Sequence, residues 1–152
     1  MLNICQLGIS PKSAVVVPVV TSSVLLTIGV EALGFMPILK DPVFSEEAAS
    51  RWFKYYFYKA LFPICSLGTA SIVTGVLAYR RGYGKLFGYG AVFSALHFAY
   101  VPIIMYPCQC IIENNQTKAA LRKWLKIHKF RLVSDIAATV CFTTALYNYI
   151  TK

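Results

Sequence analysis

Apolar residues fill four long stretches of the chain, about 14–39, 60–79, 86–106 and 132–150, with short polar segments between them. A hydrocarbon core about 30 Å thick needs about 20 apolar residues at 1.5 Å rise per residue. Each stretch therefore predicts a membrane-spanning helix, and the expected fold is all-α, a four-helix transmembrane bundle. Local signals place the ends: Lys40-Asp41-Pro42 closes the first helix, Arg80 to Gly84 makes a tight turn, and Tyr106-Pro107 closes the third. Ser45 before Glu46 and Glu47 is a good helix start, and Thr117 is read as the cap of the last helix. Both starts lie well ahead of the apolar windows. Helices 2 and 4 are thus expected to run about 34 residues, or about 50 Å, and to project beyond the bilayer on one side.

Composition agrees with this pattern and excludes a soluble domain. The 152 residues are 57% hydrophobic and 14% charged, and the mean hydropathy is +0.59. Residues 1–152 are read as a single integral membrane unit, without repeats, low-complexity segments or a linker. The start, MLNICQLGISPKSAVVVPVV, has no compact basic region and no small-residue cleavage site before the first span, which is expected to be retained as a signal anchor. The formal charge of +9 points to membrane flanks and anionic lipid and away from nucleic acid. Ten Lys and Arg flank the 40s and 110s loops against five at the termini and the 80–85 turn. This favours a cytosolic position for the two longer loops. The sequon Asn115-Gln116-Thr117 lies in one of them and is glycosylated only if that loop is lumenal.

Three ionisable residues sit within the apolar windows, where they cost a few kcal/mol and usually face a bundle interior. Glu31 lies eight residues from Leu39 and His97 nine from Tyr106, so both sit about 12–13 Å from the same end. Asp135 lies one turn inside the last span. Trp124, His128, Arg131 and Asp135 follow a four-three-four spacing that stacks them on one helical face. Asp135 is expected to pair with Arg131 at i−4. Two readings follow. In one, these are a structural ion pair and interfacial histidines. In the other, they descend into a cavity that takes a mostly apolar ligand from the membrane and presents acid and base groups to it. The aromatic run Trp52, Tyr55, Tyr56, Tyr58 is either an interfacial belt or, through Trp52 and Tyr56, part of the wall of that cavity.

The segments GVEALGFMPIL, RWFKYYFYKALFPICSLGTASIVTGVLAY and VPIIMYP, with Trp124, His128 and Arg131 (W-x3-H-x2-R) leading into an apolar helix, together resemble a family of small four-span membrane proteins that includes the fungal anthrone oxygenases. The layout covers about 15–151. The resemblance implies oxidation of a phenolic anthrone to a quinone, with dioxygen as co-substrate and no metal or flavin cofactor. It carries Trp124, His128 and Arg131 into the site, whereas His97, Asp135 and Glu31 are added from depth and spacing. On this reading His128 or His97 is the base, Asp135 orients or tunes it, Arg131 stabilises an enolate or peroxide anion, and Trp124, Trp52 and Tyr56 stack on flat rings. The expected location is the endoplasmic reticulum or another endomembrane.

Other chemistries find less in the chain. The cysteines Cys5, Cys65, Cys108, Cys110 and Cys141 contain no Cys-x-x-Cys, so they lack the pattern of a zinc site or a dithiol mechanism. The rival class is a non-enzymatic membrane subunit or lipid-binding factor. It draws on the small-residue face Gly68, Ser71, Gly75, where a helix of the same bundle, a second copy or a membrane partner can approach closely.

Overall fold

Residues 8–151 are described by the computed structural model. Cys5, Lys152 and the opening residues read for a leader lie outside the described residues. The chain forms α1 (Pro11–Phe35), a 3-10 turn (Met36–Lys40), α2 (Glu46–Arg80), α3 (Lys85–Ala99), α4 (Val101–Ile112) and α5 (Thr117–Ile150). α3 and α4 are two halves of one rod. Four rods, Pro11–Lys40, Glu46–Arg80, Lys85–Ile112 and Thr117–Ile150, are long and apolar enough to cross a membrane. The protein is an integral membrane four-helix bundle, as the apolar windows predict.

Short connections make successive rods antiparallel neighbours. α1 packs against α2 and α5, α3 packs against the same two helices, and α4 lies mainly on α5. α2 and α5 contain 35 and 34 residues, which makes each about 50 Å long, and both begin at the same end. Ser45 caps α2 by accepting from the Ala48 amide at 3.1 Å. The start of α5 differs from expectation. Gln116, in the left-handed conformation at φ 51°, precedes the helix; Thr117 is its first residue and donates to Asn114 Oδ1 at 2.9 Å. The capping role falls to α2: Glu46 Oε2 accepts from the Lys118 amide at 3.0 Å. A carboxylate thus meets the positive end of the α5 dipole and ties the two long helices together.

The third rod also departs from expectation. It does not close at Tyr106-Pro107 but kinks earlier, at Tyr100, because Pro102 lacks an amide and its ring crowds the carbonyl of Phe98. The helix then continues through Pro107. Ile104, Pro107, Cys108 and Ile111 are all buried and recur at helical spacing, so packing of this stripe on α5 offsets the lost hydrogen bond.

Two apolar clusters fill the bundle. One, at the end where α2 and α5 begin, joins Met36, Phe53, Ile104, Ile111, Leu121 and Trp124. The other, at the opposite end, joins Val15, Phe87, Ala138 and Phe142. The small-residue stripe of α2 is used within the bundle. A methyl group at Gly68 would fall 2.7 Å from the Phe98 ring, and one at Gly75 would fall 2.7 Å from Phe142. Ser71 shares a 2.7 Å hydrogen bond with Thr21 of α1. Gly75→Leu is therefore expected to lower the melting temperature in detergent, since the Phe142 ring of α5 and the α3 backbone at Ala91 would have to move; an unchanged melting temperature would mean the stripe is free.

Candidate functional site

Between the two apolar clusters lies a polar layer contributed by α1, α3 and α5. His97 on α3 and Asp135 on α5 are each 2% exposed, and His97 Nδ1 lies 2.8 Å from Asp135 Oδ1. A carboxylate only accepts, so Nδ1 carries the proton and Nε2 keeps the lone pair. Two turns back along α5, His128 is 1% exposed and its Nε2 donates to the Gly29 carbonyl of α1 at 3.0 Å. The carbonyl fixes the opposite tautomer, leaving the lone pair on Nδ1. The two imidazoles are thus held in complementary tautomers by different helices.

Aromatic packing fixes His128 from the other side. Its ring stacks on Trp124, with centroids 4.7 Å apart and planes 9° from parallel, and Trp124 in turn meets Phe53 edge-on at 5.3 Å. Gly29 makes this approach possible. A methyl group there would fall 2.8 Å from Leu132 Cδ1, 3.9 Å from Asp135 Oδ2 and 4.0 Å from His128 Nε2, so α5 lies directly on the α1 backbone.

A cavity of about 220 Å³ opens beside this layer between α2, the α3–α4 kink and α5. His97, Trp124, His128 and Arg131 contribute its polar wall, and Tyr56, Phe57, Ile64, Phe98, Ile104 and Cys108 its apolar and aromatic walls. Its rim includes Leu61, Val101 and Met105, which are 43%, 40% and 49% exposed on the outer face of the bundle. Leu61 lies in the first turn of its apolar window and Val101 and Met105 in the last turns of theirs, so the cavity opens sideways on the outer face of the bundle. Pro63 lies inside α2 beside the lining residue Ile64, and Pro102 follows the lining residue Val101 in the third rod; each withholds one amide from the helical ladder.

Among the described residues, His128 Nδ1, Arg131 Nε, Asp135 Oδ2 and Ser94 Oγ are buried without a hydrogen-bond partner. Each such atom costs about 1–3 kcal/mol, and native proteins concentrate that cost where polar groups have work to do.

The expected site residues divide into two groups. Trp124, His128, Arg131, His97 and Tyr56 line the cavity, and Asp135 stands behind His97. The expected Asp135–Arg131 pair is not formed. Both lie on α5, but Asp135 reaches across to α3 while Arg131 turns to the cavity wall. Glu31 is exposed, because Gly29 occupies the α1 face against α5 and a residue two positions on points about 200° away. Trp52 is 54% exposed and sits with Ala48, Arg51 and Tyr55 on the outer face of α2; Phe53 takes the inward place against Trp124. Neither Glu31 nor Trp52 is part of the cavity wall. Gly29, Cys108 and Ser94 were not singled out as site residues. A helix-internal glycine in TIGVEALG was the available signal for the first, and the 104/108/111 spacing for the second.

Among the described residues no three His, Cys, Asp or Glu side chains converge as a metal-binding set would. Comparison with family models, with curated proteins and with solved structures finds no match.

Proposed function

We propose that the protein is a membrane oxygenase that draws a phenolic anthrone-type aromatic from the bilayer and oxidises it with dioxygen to a quinone. The observation that carries this reading is an imidazole backed by a buried carboxylate, His97–Asp135, on a lipid-facing aromatic cavity. Such a pair is a general base held in one tautomer, with a negative charge behind it to offset the imidazolium that forms.

The steps balance without a further reductant. His97 Nε2 takes a benzylic proton, and the resulting carbanion is delocalised onto the carbonyl oxygen as an enolate. Arg131 donates to that oxygen, while His128 Nδ1 accepts from a phenolic hydroxyl. Transfer of electrons from carbon to dioxygen forms a C–O bond and a peroxide anion, which takes a proton back from the imidazolium. Loss of the remaining C–H proton then breaks the O–O bond, leaving a carbonyl and one water. A cavity of about 220 Å³ is smaller than the 300–1,000 Å³ of sites that enclose drug-sized molecules. A flat tricycle is held in part, with one ring at Trp124 and His128 and the far ring in the mouth between Leu61 and Met105.

Two results test this arrangement. Leu61→Trp narrows the mouth without touching the imidazoles; crowding of about 1–3 kcal/mol raises KM about tenfold or more, with kcat retained. An unchanged KM would place substrate entry elsewhere. The second concerns location in the endoplasmic reticulum or another endomembrane. With ten basic residues on the side of the 40s and 110s loops, Asn115 faces the cytosol, and expression with microsomes is expected to yield no glycosidase-sensitive mass shift. A shift would place that loop in the lumen.

Gly68, Ser71 and Gly75 meet Phe98, Thr21 and Phe142 of the same chain, so the small-residue face supports packing within the bundle and does not favour the non-enzymatic reading over the enzymatic one.

A further inference from the structure

A second concavity lies at the opposite end of the bundle, between the last two turns of α2 and the length of α3. Its volume is about 520 Å³, larger than the imidazole cavity. Ile72, Val76, Val92 and Ala95 line the part nearer mid-bundle, and Arg80 and Lys85 close its outer end. Gly88 keeps its floor low. The Tyr79 ring lies over that glycine, 3.2 Å from where a methyl group would stand, and Tyr79 and Tyr89 are half exposed where the apolar window ends. From Ile72 to Arg80 the groove runs about 12 Å along α2, apolar toward the bilayer centre and cationic at the interface.

Among the described residues the charge at that end is not balanced from within. All six acidic residues, Glu31, Asp41, Glu46, Glu47, Glu113 and Asp135, lie in the other half of the bundle or near its middle. Lys12, Arg80, Arg81 and Lys85 have no acidic neighbour in sequence at their end. Arg81 is engaged, donating to the Ile9 carbonyl at 2.9 Å. The side chains of Arg80 and Lys85 make no ion pair or hydrogen bond among the described residues.

We propose that this groove is a binding site for one anionic phospholipid, with an acyl chain along Ile72, Val76 and Val92 and the phosphate between Arg80 and Lys85. A guanidinium and an ammonium at the interface recognise phosphate by charge and hydrogen bonding, and a groove walled by two helices holds a chain better than a flat helix face does. The site is independent of the imidazole cavity and of the chemistry proposed for it.

Native mass spectrometry of the detergent-purified full chain, titrated with phosphatidylglycerol and with phosphatidylcholine of identical chains, tests the proposal. One phosphatidylglycerol is expected to be retained about 30-fold more tightly than phosphatidylcholine, with each basic residue contributing about fivefold. Arg80→Gln with Lys85→Gln removes the preference. Ala95→Trp, at an exposed position, fills the apolar part and weakens retention of both lipids. Lys123→Gln with Lys126→Gln, an equal loss of charge at exposed positions of the other end, leaves the preference in place. Equal retention of the two lipids, a preference that survives the Arg80/Lys85 change, retention untouched by Ala95→Trp, or an equal fall in the Lys123/Lys126 control would each overturn it.

Discussion

Asp135→Asn is expected to lower kcat on an anthrone substrate by about 10²–10⁴ while leaving the melting temperature unchanged or higher. The opposite directions follow from one geometry. Asp135 is 2% exposed and spends one oxygen on His97, with the other unpartnered. A buried charge with incomplete partners contributes little or negatively to stability, so the neutral amide relieves a cost. The same amide can donate to His97 Nδ1 and hold the ring in the wrong tautomer, and it no longer balances the imidazolium. His97→Gln should cause a loss of similar size, and the double variant should be no worse than either alone, because the two side chains act as one unit. A melting temperature that falls steeply in Asp135→Asn, with kcat following the folded fraction, would make the pair structural.

The largest effect on stability is expected at Phe142, far from the imidazoles. Its ring is fully buried and lies against Gly75 and Gly90, where added methyl groups would fall 2.7 and 2.6 Å from it, with Phe87 6.4 Å away between centroids. Glycines cannot close over the space a missing ring leaves. Phe142→Ala therefore costs about 3 kcal/mol, at the lower end for such truncations, because helix association in lipid depends on packing more than on exclusion of water. Phe142→Leu should cost under about 1.5 kcal/mol. Thermal unfolding in one detergent, followed by far-ultraviolet circular dichroism, measures both. Equal melting temperatures for wild type and Phe142→Ala would show that this end of the bundle is loosely packed.

Span number, helix class and the excess length of α2 and α5 were legible because they depend on apolar run length and on Ser45, Glu46 and Glu47. What lay inside the bundle was harder to read. In a lipid-facing helix both the inner and outer faces are apolar, so periodicity does not say which face turns inward. That is why Glu31 and Trp52 were expected in a cavity whose wall excludes both. The spacing of Trp124, His128, Arg131 and Asp135 places four side chains on one face, yet it cannot choose between a partner on the same helix and one across the bundle. Asp135 meets His97 because α3 and α5 pack closely along their length. Of the two prolines in the third rod, Pro102 breaks it at Tyr100, while burial of Ile104, Cys108 and Ile111 carries the helix past Pro107; sequence alone does not rank the two. At the start of α5, local capping rules were overridden by Glu46, which is 72 positions from the Lys118 amide it accepts from.

The most direct measurement is aerobic conversion of emodin anthrone by the detergent-purified protein, followed as quinone formation above the spontaneous rate and run beside Asp135→Asn of matched melting temperature. Turnover by the wild type, reduced at least about a hundredfold in the variant, is the result expected of an oxygenase with His97 as its base. A folded wild type that forms quinone no faster than buffer, or a variant that turns over as fast as the wild type, would contradict it.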